Sequence, residues 1–410
     1  MPQYLHTILS YIVFISIAIL MSTNKKAIKK TDLVIGIICQ FFFAIIVIKI
    51  PSVVNALTCV NDTLKSISDS AIKGTSVVFG GLAKTEASGQ LGFIMALQSL
   101  PVLIVLSALS SVLIYIKVLP FFINILSNIF QKTLRIGGTL GVAISTNIFA
   151  GLAETPLIIT PYLKRLTKNE LFTLITCGMA GLASSVMVLI DIIIRPIIPN
   201  AMVHTLSSVL IGIPMVVTIS KIIIPESSNN LTGANDMELK EGDTLIESVF
   251  TGIMNGAKVL VTIVAMLIGF ISLIDIANKI LDYLPYINNK PISIQMILGF
   301  LMAPISWIIG VESSDIINAS SIIGTKIVFN EILATQEFLT LGSSISHKTQ
   351  IIVMYVISGF ANFGSVGLAI GVYSMLVPER RDEVLKIGMK SLVAGNLVNF
   401  INASLVALFI

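Results

Sequence analysis

The stretch from Asn147 to Val186, NIFAGLAETPLIITPYLKRLTKNELFTLITCGMAGLASSV, decides the fold. It begins as an apolar run in which the carboxylate Glu154 stands beside the helix breaker Pro156. It then crosses a short basic patch and returns to an apolar run thinned by Gly178 and nearby small residues. A charged side chain at the centre of a spanning helix costs about 2.5–3.5 kcal/mol. The stretch therefore predicts a polar site inside a membrane rather than a lipid-facing helix.

The composition of the whole chain is that of a polytopic membrane protein. Of its 410 residues, 55% are hydrophobic and 12% are charged, whereas soluble domains carry about 25% charged residues. Apolar runs long enough to cross a bilayer recur along the chain. The basic residues that give the net charge of +4 are scattered among short loops. They mark cytoplasmic loops rather than a nucleic-acid surface. We predict an all-α membrane protein embedded in a lipid bilayer.

Eight spans are predicted. Seven lie at about residues 4–21, 33–50, 91–118, 170–196, 205–224, 257–280 and 349–377, and the eighth follows the charged loop PERRDEVLK and reaches the C-terminus. Residues 51–89 suit helices that lie along the outer surface. Two further segments, 137–163 and 292–335, carry helix breakers and polar groups near their middles. Basic residues flank the first of them on both sides. We therefore predict re-entrant hairpins, whose irregular backbone must be covered by protein or water.

This arrangement divides the chain into four parts. Residues 1–135 form N-terminal spans and surface helices of a scaffold, and 136–224 form the first repeat. Residues 225–256 form a cytoplasmic polar loop, and 257–410 form the second repeat.

An internal repeat supports this division. The segment Gly178–Ser184 (GMAGLAS) matches Gly359–Ser365 (GFANFGS), and each follows a segment that carries a carboxylate, Glu154 or Glu331. On the predicted topology the two segments start from opposite sides of the membrane, so the repeats are inverted. Paired, interrupted apolar segments of this kind indicate a transporter site near the bilayer midplane. Chance similarity between helices rich in small residues is the alternative.

The residue types at this site fit a polar, uncharged solute. Two carboxylates and an asparagine amide can accept from and donate to hydroxyls and ring nitrogens. Backbone carbonyls at the glycine-rich breaks could bind a small cation. In the simpler alternative, Lys164 or Lys326 merely neutralises the two carboxylates.

Four stretches closely resemble the concentrative nucleoside transporters: NIFAGLAETPLIITPYLKRLTKNELF, GTKIVFNEILA, GFANFGSVGLAIG and VPERRDEVLKIGMKSLVAGNLVN. The resemblance covers nearly the whole chain. It implies a homotrimer whose protomers have eight spans and two re-entrant hairpins. It also implies a transport domain that carries the solute in elevator fashion, driven by a cation gradient. The expected location is the inner, cytoplasmic membrane.

The resemblance also assigns substrate residues. In the first repeat, the nucleobase is expected at Leu152, Ala153, Glu154 and Val186. In the second repeat, the ribose is expected at Glu331, Phe360, Asn362 and Ser365. The family commonly reads Gly-Gln-Thr-Glu at the first hairpin tip, where this chain has Gly151–Glu154, GLAE. Two hydrogen-bonding side chains have become aliphatic, which puts preference for one pyrimidine in doubt. Purine or broad nucleoside selectivity is the expectation.

The coupling ion is predicted to be Na⁺ or H⁺, with no other cofactor. Sodium-coupled members of the family use positions that match Asn147, Ala150 and Leu182, together with a hydroxyl where this chain has Gly181. Losing that oxygen ligand weakens a sodium site. In the proton alternative, Glu154 or Glu331 carries the proton.

Other functions remain as alternatives. A transporter could carry free nucleobases, whereas nucleotides are disfavoured because the site region shows two acids and no arginine cluster. A passive channel would not need two hairpins. A membrane-embedded enzyme could use Glu154, Glu331 and Asp191, but the chain contains no HExxH zinc motif, Asp-rich diphosphate motif or nucleophile elbow.

Overall fold

The computed structural model describes residues 2–83, 94–226, 244–284 and 291–410. Within these ranges the chain forms helices joined by turns, and no strand. The predicted beginning of the third span at residue 91 lies outside the described residues. So does most of the predicted polar loop, from 227 to 243.

The helices follow in this order. The N-terminal part contains α1 (Gln3–Leu20), α2 (Lys30–Lys49), α3 (Pro51–Phe79), α4 (Met95–Gln98), α5 (Val102–Tyr115) and α6 (Val118–Leu134). Next come α7 (Gly138–Ile158), α8 (Thr160–Leu163), α9 (Lys168–Ala180), α10 (Ser184–Ile194) and α11 (Ala201–Ile223). The remainder contains α12 (Leu245–Leu281), α13 (Ile294–Ile309), α14 (Ile316–Val328), α15 (Glu331–Leu341), α16 (His347–Ile357), α17 (Phe363–Leu376) and α18 (Arg381–Val406).

Seven helical stretches in the described part are long and apolar enough to cross a membrane. They coincide with seven of the eight predicted spans, which supports a multi-pass membrane protein. The remaining predicted span, at 349–377, consists of the two shorter helices α16 and α17. The non-helical residues Ser358–Asn362 separate them.

Two predicted boundaries differ from the structure. Residues 245–256, predicted as part of the polar loop, form the first turns of α12. The Thr244 side chain caps this helix by accepting a hydrogen bond from the backbone N–H of Glu247. The second interrupted segment also contains a separate helix, α13, which ends at Gly310 in a left-handed conformation. The hairpin itself is α14–α15 and extends to Leu341 rather than 335.

The same series of elements occurs twice. The order α5, α6, hairpin α7, broken pair α9–α10 and α11 is followed by α12, α13, hairpin α14–α15, broken pair α16–α17 and α18. The repeat seen in the sequence is therefore a repeat of whole structural elements. That the two series cross the membrane in opposite directions stays a prediction.

The protein core lies where the two broken pairs meet. Helix α18 packs against α9, α16 and α17. Gly395 of α18 permits the closest approach, because a Cβ there would lie 2.8 Å from the Cβ of Met179 and 3.1 Å from that of Ala361. By contrast, α12 packs mainly along α5. It leaves large apolar side chains exposed, such as Ile246, Phe250 and Ile268.

Candidate functional site

The first hairpin reverses at Gly151, whose φ of 77° and ψ of −169° favour glycine. Across this break the Asn147 Nδ2 donates to Thr155 Oγ1 at 3.4 Å. In a continuous helix these residues would stand about 12 Å apart along the axis. The tip packs against the break between α9 and α10, because a Cβ on Gly151 would lie 2.7 Å from the Cβ of Ala183. The chain therefore folds back on itself and presents the start of its second arm to that break.

The second hairpin reverses at Phe329 and Asn330. The hydroxyls of Ser321 and Thr325 on the first arm donate to the Glu337 carboxylate on the second, the latter at 2.5 Å. Asn330 caps α15, its Oδ1 accepting from the backbone N–H of Leu333 at 2.8 Å. This geometry places Glu331 at the first position of α15, where the positive end of the helix dipole favours a carboxylate.

The two breaks are joined directly to each other. The backbone N–H of Phe360 in the second break donates to the carbonyl of Gly181 in the first, at 3.1 Å. Asn362 then caps α17, its Oδ1 accepting from the backbone N–H of Ser365 at 2.8 Å. Its Nδ2 donates to Glu331 Oε2 at 3.1 Å. One asparagine thus ties the second hairpin to the second break.

A cavity of about 260 Å³ lies between these elements and α12. All eight residues predicted to contact substrate line it: Leu152, Ala153, Glu154, Val186, Glu331, Phe360, Asn362 and Ser365. The structure therefore brings the two repeats together around one space, although the residues lie up to 213 positions apart in sequence.

The two ends of this cavity differ in chemistry. The first repeat contributes the half-buried Glu154 amid aliphatic side chains, including Ala153 and Val186. The Leu152 side chain also packs against Gly178, because a Cβ there would lie 2.3 Å from Leu152 Cδ1. The second repeat contributes a polar, hydrogen-bonded wall around Glu331. One end thus suits a flat ring with a polar edge, and the other suits hydroxyl groups.

Helix α12 also contributes to the cavity, which its sequence did not predict. Lys258, Thr262 and Met266 stand at intervals of four residues and line the cavity. The available signal was Lys258, the one charge in the apolar run from Ser248 to Ile274, since an ionisable residue at membrane depth usually faces a functional site. Glu154 also lines a second, smaller cavity of about 60 Å³ with Asn255 and three serines of α5.

The residues predicted to hold a cation converge on the first break. The Asn147 side chain is only 3% exposed, and its Oδ1 would lie 3.6 Å from a Cβ on Gly181. Ala150 precedes the tip of the first hairpin, and Leu182 stands in the break itself. An amide oxygen with nearby backbone carbonyls supplies hard oxygen ligands, which fit Na⁺. Gly181 supplies no side-chain ligand.

The charge-neutralisation alternative finds limited support. Lys164 forms an ion pair with Glu379 at 2.7 Å. Lys326 donates to the side-chain oxygens of Asn396 at 2.8 Å and of Asn399 at 3.2 Å rather than to a carboxylate.

Asp191, the third acid of the enzyme alternative, has a structural role. It pairs with Arg195 at 2.6 Å and accepts from the backbone N–H of Met202 at 3.0 Å. The carboxylate thereby fastens the end of α10 to the start of α11. It is also absent from the lining of the large cavity.

Three family models match consecutive parts of the chain. The Na⁺-dependent nucleoside transporter N-terminus matches residues 9–82, nucleoside recognition matches 96–197, and the Na⁺-dependent nucleoside transporter C-terminus matches 204–407. The uncharacterized transporter YutK of Bacillus subtilis is 31% identical over 407 residues, covering 98% of each chain. The chain belongs to the concentrative nucleoside transporter family.

Further comparisons agree with this assignment. The nucleoside permease NupC of Helicobacter pylori is 28% identical, covering 99% of this transporter and 98% of its own length. CNTnw in an inward-facing, substrate-bound state superimposes with a TM-score of 0.90 at 30% identity, covering 99% of each chain. A CNTnw variant in an intermediate state gives 0.92 at 30% identity, covering both chains fully. The resemblance seen in the sequence is confirmed, and the family consists of transporters rather than enzymes.

Proposed function

We propose that this transporter imports nucleosides across the cytoplasmic membrane by cation symport. The observation that carries the proposal is the single cavity in which both repeats present carboxylates, Glu154 on one side and Glu331 on the other. The Glu331 wall binds the ribose, because a carboxylate accepts hydrogen bonds from hydroxyl groups. The Glu154 wall binds the base, with the carboxylate accepting from ring or exocyclic N–H groups.

Base preference is set at the tip of the first hairpin. Only Glu154 offers a charged acceptor there, since positions 152 and 153 are aliphatic. A site without a hydrogen-bonding partner for one edge of the base gains no affinity from that edge. An added partner discriminates strongly between bases that can and cannot form the hydrogen bond. We therefore propose broad or purine selectivity for this chain.

Replacing Leu152 by Gln together with Ala153 by Thr is expected to shift the ratio of pyrimidine to purine uptake by about tenfold or more. The single variant Ala153→Thr separates the effect of position 153 from that of position 152. Position 153 is half-buried, whereas Leu152 is 3% exposed and packs on Gly178. Competition of unlabelled nucleosides with labelled uridine measures the ratio. An unchanged ratio of pyrimidine to purine uptake in both variants would show that the tip of the first hairpin does not set base preference.

We further propose Na⁺ as the coupling ion, bound by Asn147 and by carbonyls of Ala150 and Leu182. The buried Asn147 amide beside the first break supports this proposal. So does the Na⁺ dependence that the family models carry in their descriptions. Proton coupling through Glu154 or Glu331 is the alternative that the test below separates.

A Gly181→Ser variant is expected to strengthen Na⁺ dependence. The added Cβ would lie 3.6 Å from Asn147 Oδ1, and the φ of −99° accepts any residue. The Cys177 carbonyl, at 3.2 Å from that Cβ, has to give slightly. One additional hydroxyl ligand should lower the half-saturating Na⁺ concentration by about threefold or more. Gly181→Ala adds the same carbon without the oxygen, and an equal change in both variants would contradict the ligand role.

We also propose an elevator movement of the substrate-binding elements and a trimeric assembly. Residues 1–135 together with α12 form a scaffold, and the two hairpins with α9, α10 and α16–α18 carry the substrate past it in elevator fashion. The cavity between α12 and the hairpins supports this division. Three protomers assemble into a homotrimer, and exposed apolar side chains of α12 provide surface for lipid or neighbouring subunits.

Uptake by proteoliposomes tests the proposed function. Labelled uridine, adenosine and guanosine are supplied under an inward Na⁺ gradient or an inward proton gradient, with protein-free liposomes as the control. At least one nucleoside should accumulate above equilibrium with Na⁺ and stop accumulating when choline replaces Na⁺ at fixed pH. Accumulation that persists in choline and is abolished by a protonophore would assign the coupling to protons. Uptake of none would contradict nucleoside transport.

A further inference from the structure

Lys326 is a lysine held entirely inside the protein. Its side chain is 0% exposed, and its Nζ donates to Asn396 Oδ1 at 2.8 Å. With the Asn399 amide oriented to satisfy both neighbours, its oxygen accepts from Nζ at 3.2 Å and its nitrogen donates to the Ala180 carbonyl at 2.9 Å. Burying a lysine away from water is costly unless its ammonium is compensated. The structure supplies that compensation through amide oxygens.

The same two asparagines join the corresponding points of the two repeats. The Asn396 Nδ2 donates to the Ala361 carbonyl at 3.1 Å, and Asn399 donates to the Ala180 carbonyl. Ala180 and Ala361 are the third residues of the two matching motifs, GMAGLAS and GFANFGS. One ammonium therefore lies behind both breaks and is linked to each through one amide.

The position of Lys326 in its hairpin corresponds to that of Asn147 in the first. Asn147 stands four residues before Gly151, where the first hairpin reverses, and Lys326 stands three to four residues before Phe329 and Asn330, where the second reverses. Both side chains are buried. Asn147 lies beside the first break, and Lys326 is linked to both breaks through Asn396 and Asn399. Where the first repeat presents an oxygen ligand for a cation, the second repeat presents the cation itself.

We propose that the Lys326 ammonium is a tethered cation, filling in the second repeat the place that a diffusible cation takes in the first. The inference rests on the proposed cation-coupled function. The ammonium is bound by amide oxygens, the ligand type that also binds a hard cation. Glu331 lies five residues beyond Lys326, on the other arm of the same hairpin. The second repeat then needs no ion from solution, and one cation accompanies each nucleoside.

The test removes the tethered cation and offers a free one. In Lys326→Ala, purified in detergent, methylammonium chloride should raise the thermal midpoint by about 2 °C or more. The same salt should leave wild type and Lys386→Ala, an exposed lysine variant of α18, unchanged. Tetramethylammonium is the size control and should have no effect. Equal responses in all three proteins, or none in Lys326→Ala, would overturn the proposal.

The coupling ratio of the wild-type transporter gives a second test that needs no variant. The reversal potential of nucleoside-driven ion flux in proteoliposomes should correspond to one cation per nucleoside. Two cations per nucleoside would overturn the tethered-cation role even if Lys326→Ala does not fold. Absence of nucleoside flux would instead contradict the proposed function. The methylammonium experiment would still test the Lys326 site, because it measures the thermal midpoint of unfolding and not transport.

Discussion

Glu331→Gln is expected to abolish nucleoside uptake, lowering it at least about 100-fold. The substitution keeps the size of a side chain that is 4% exposed in the cavity wall, but it removes the charge. A hydrogen bond to a charged group contributes about 1.5–3 kcal/mol, and a ribose offers more than one hydroxyl to this carboxylate. Asn362 Nδ2 would also lose its charged acceptor. Initial rates of labelled nucleoside uptake measure the effect.

The matched control is Glu312→Gln, which removes an exposed carboxylate from the same repeat. It should transport like wild type. Size-exclusion profiles in detergent establish whether each variant stays folded. Near-normal uptake by a folded Glu331→Gln protein would remove the ribose assignment.

Gly151→Ala is expected to reduce uptake at least about tenfold and to lower the thermal midpoint. The residue has a φ of 77°, and holding a side chain in such a conformation costs about 1–3 kcal/mol. The new Cβ would also meet the Cβ of Ala183 at 2.7 Å. Relief of that overlap requires the tip to retreat from the break, which moves Glu154 relative to the cavity and Asn147 relative to Gly181.

Gly371→Ala is the control for this variant, because a Cβ there meets no atom within 4 Å. In the interior of α17 the change should be neutral or slightly stabilising, since alanine is the better helix former. If Gly151→Ala transported as well as Gly371→Ala, the strained tip would have no part in forming the site.

The sequence predicted those residues of the site whose charge is energetically unfavourable inside a lipid bilayer. Carboxylates such as Glu154 and Glu331 are expensive inside apolar runs, so each marks a functional position. The small-residue motifs around Gly181 and Asn362 repeat visibly, because both perform the same structural task. The family resemblance then assigned the individual substrate residues, and the structure places all of them around one cavity.

Other parts could not be predicted because they depend on packing between distant elements. Lys258 is the one charge between Glu247 and Asp275 of α12, and only the approach of α12 to the hairpins makes it part of the cavity wall. The early start of α12 follows from a cap at Thr244 within an otherwise polar segment. The role of Asn396 and Asn399 in α18 depends on Lys326, about 70 residues away, whose ammonium donates to both side chains.

The central claim is that one cavity, built by both repeats, recognises the ribose as well as the base. Calorimetric titration of purified wild-type transporter with uridine, adenosine and guanosine, each against its free base, tests this most directly. At least one nucleoside should bind about 100-fold or more tightly than its base, equivalent to about 2.7 kcal/mol. Equal affinity for nucleosides and free bases would contradict it.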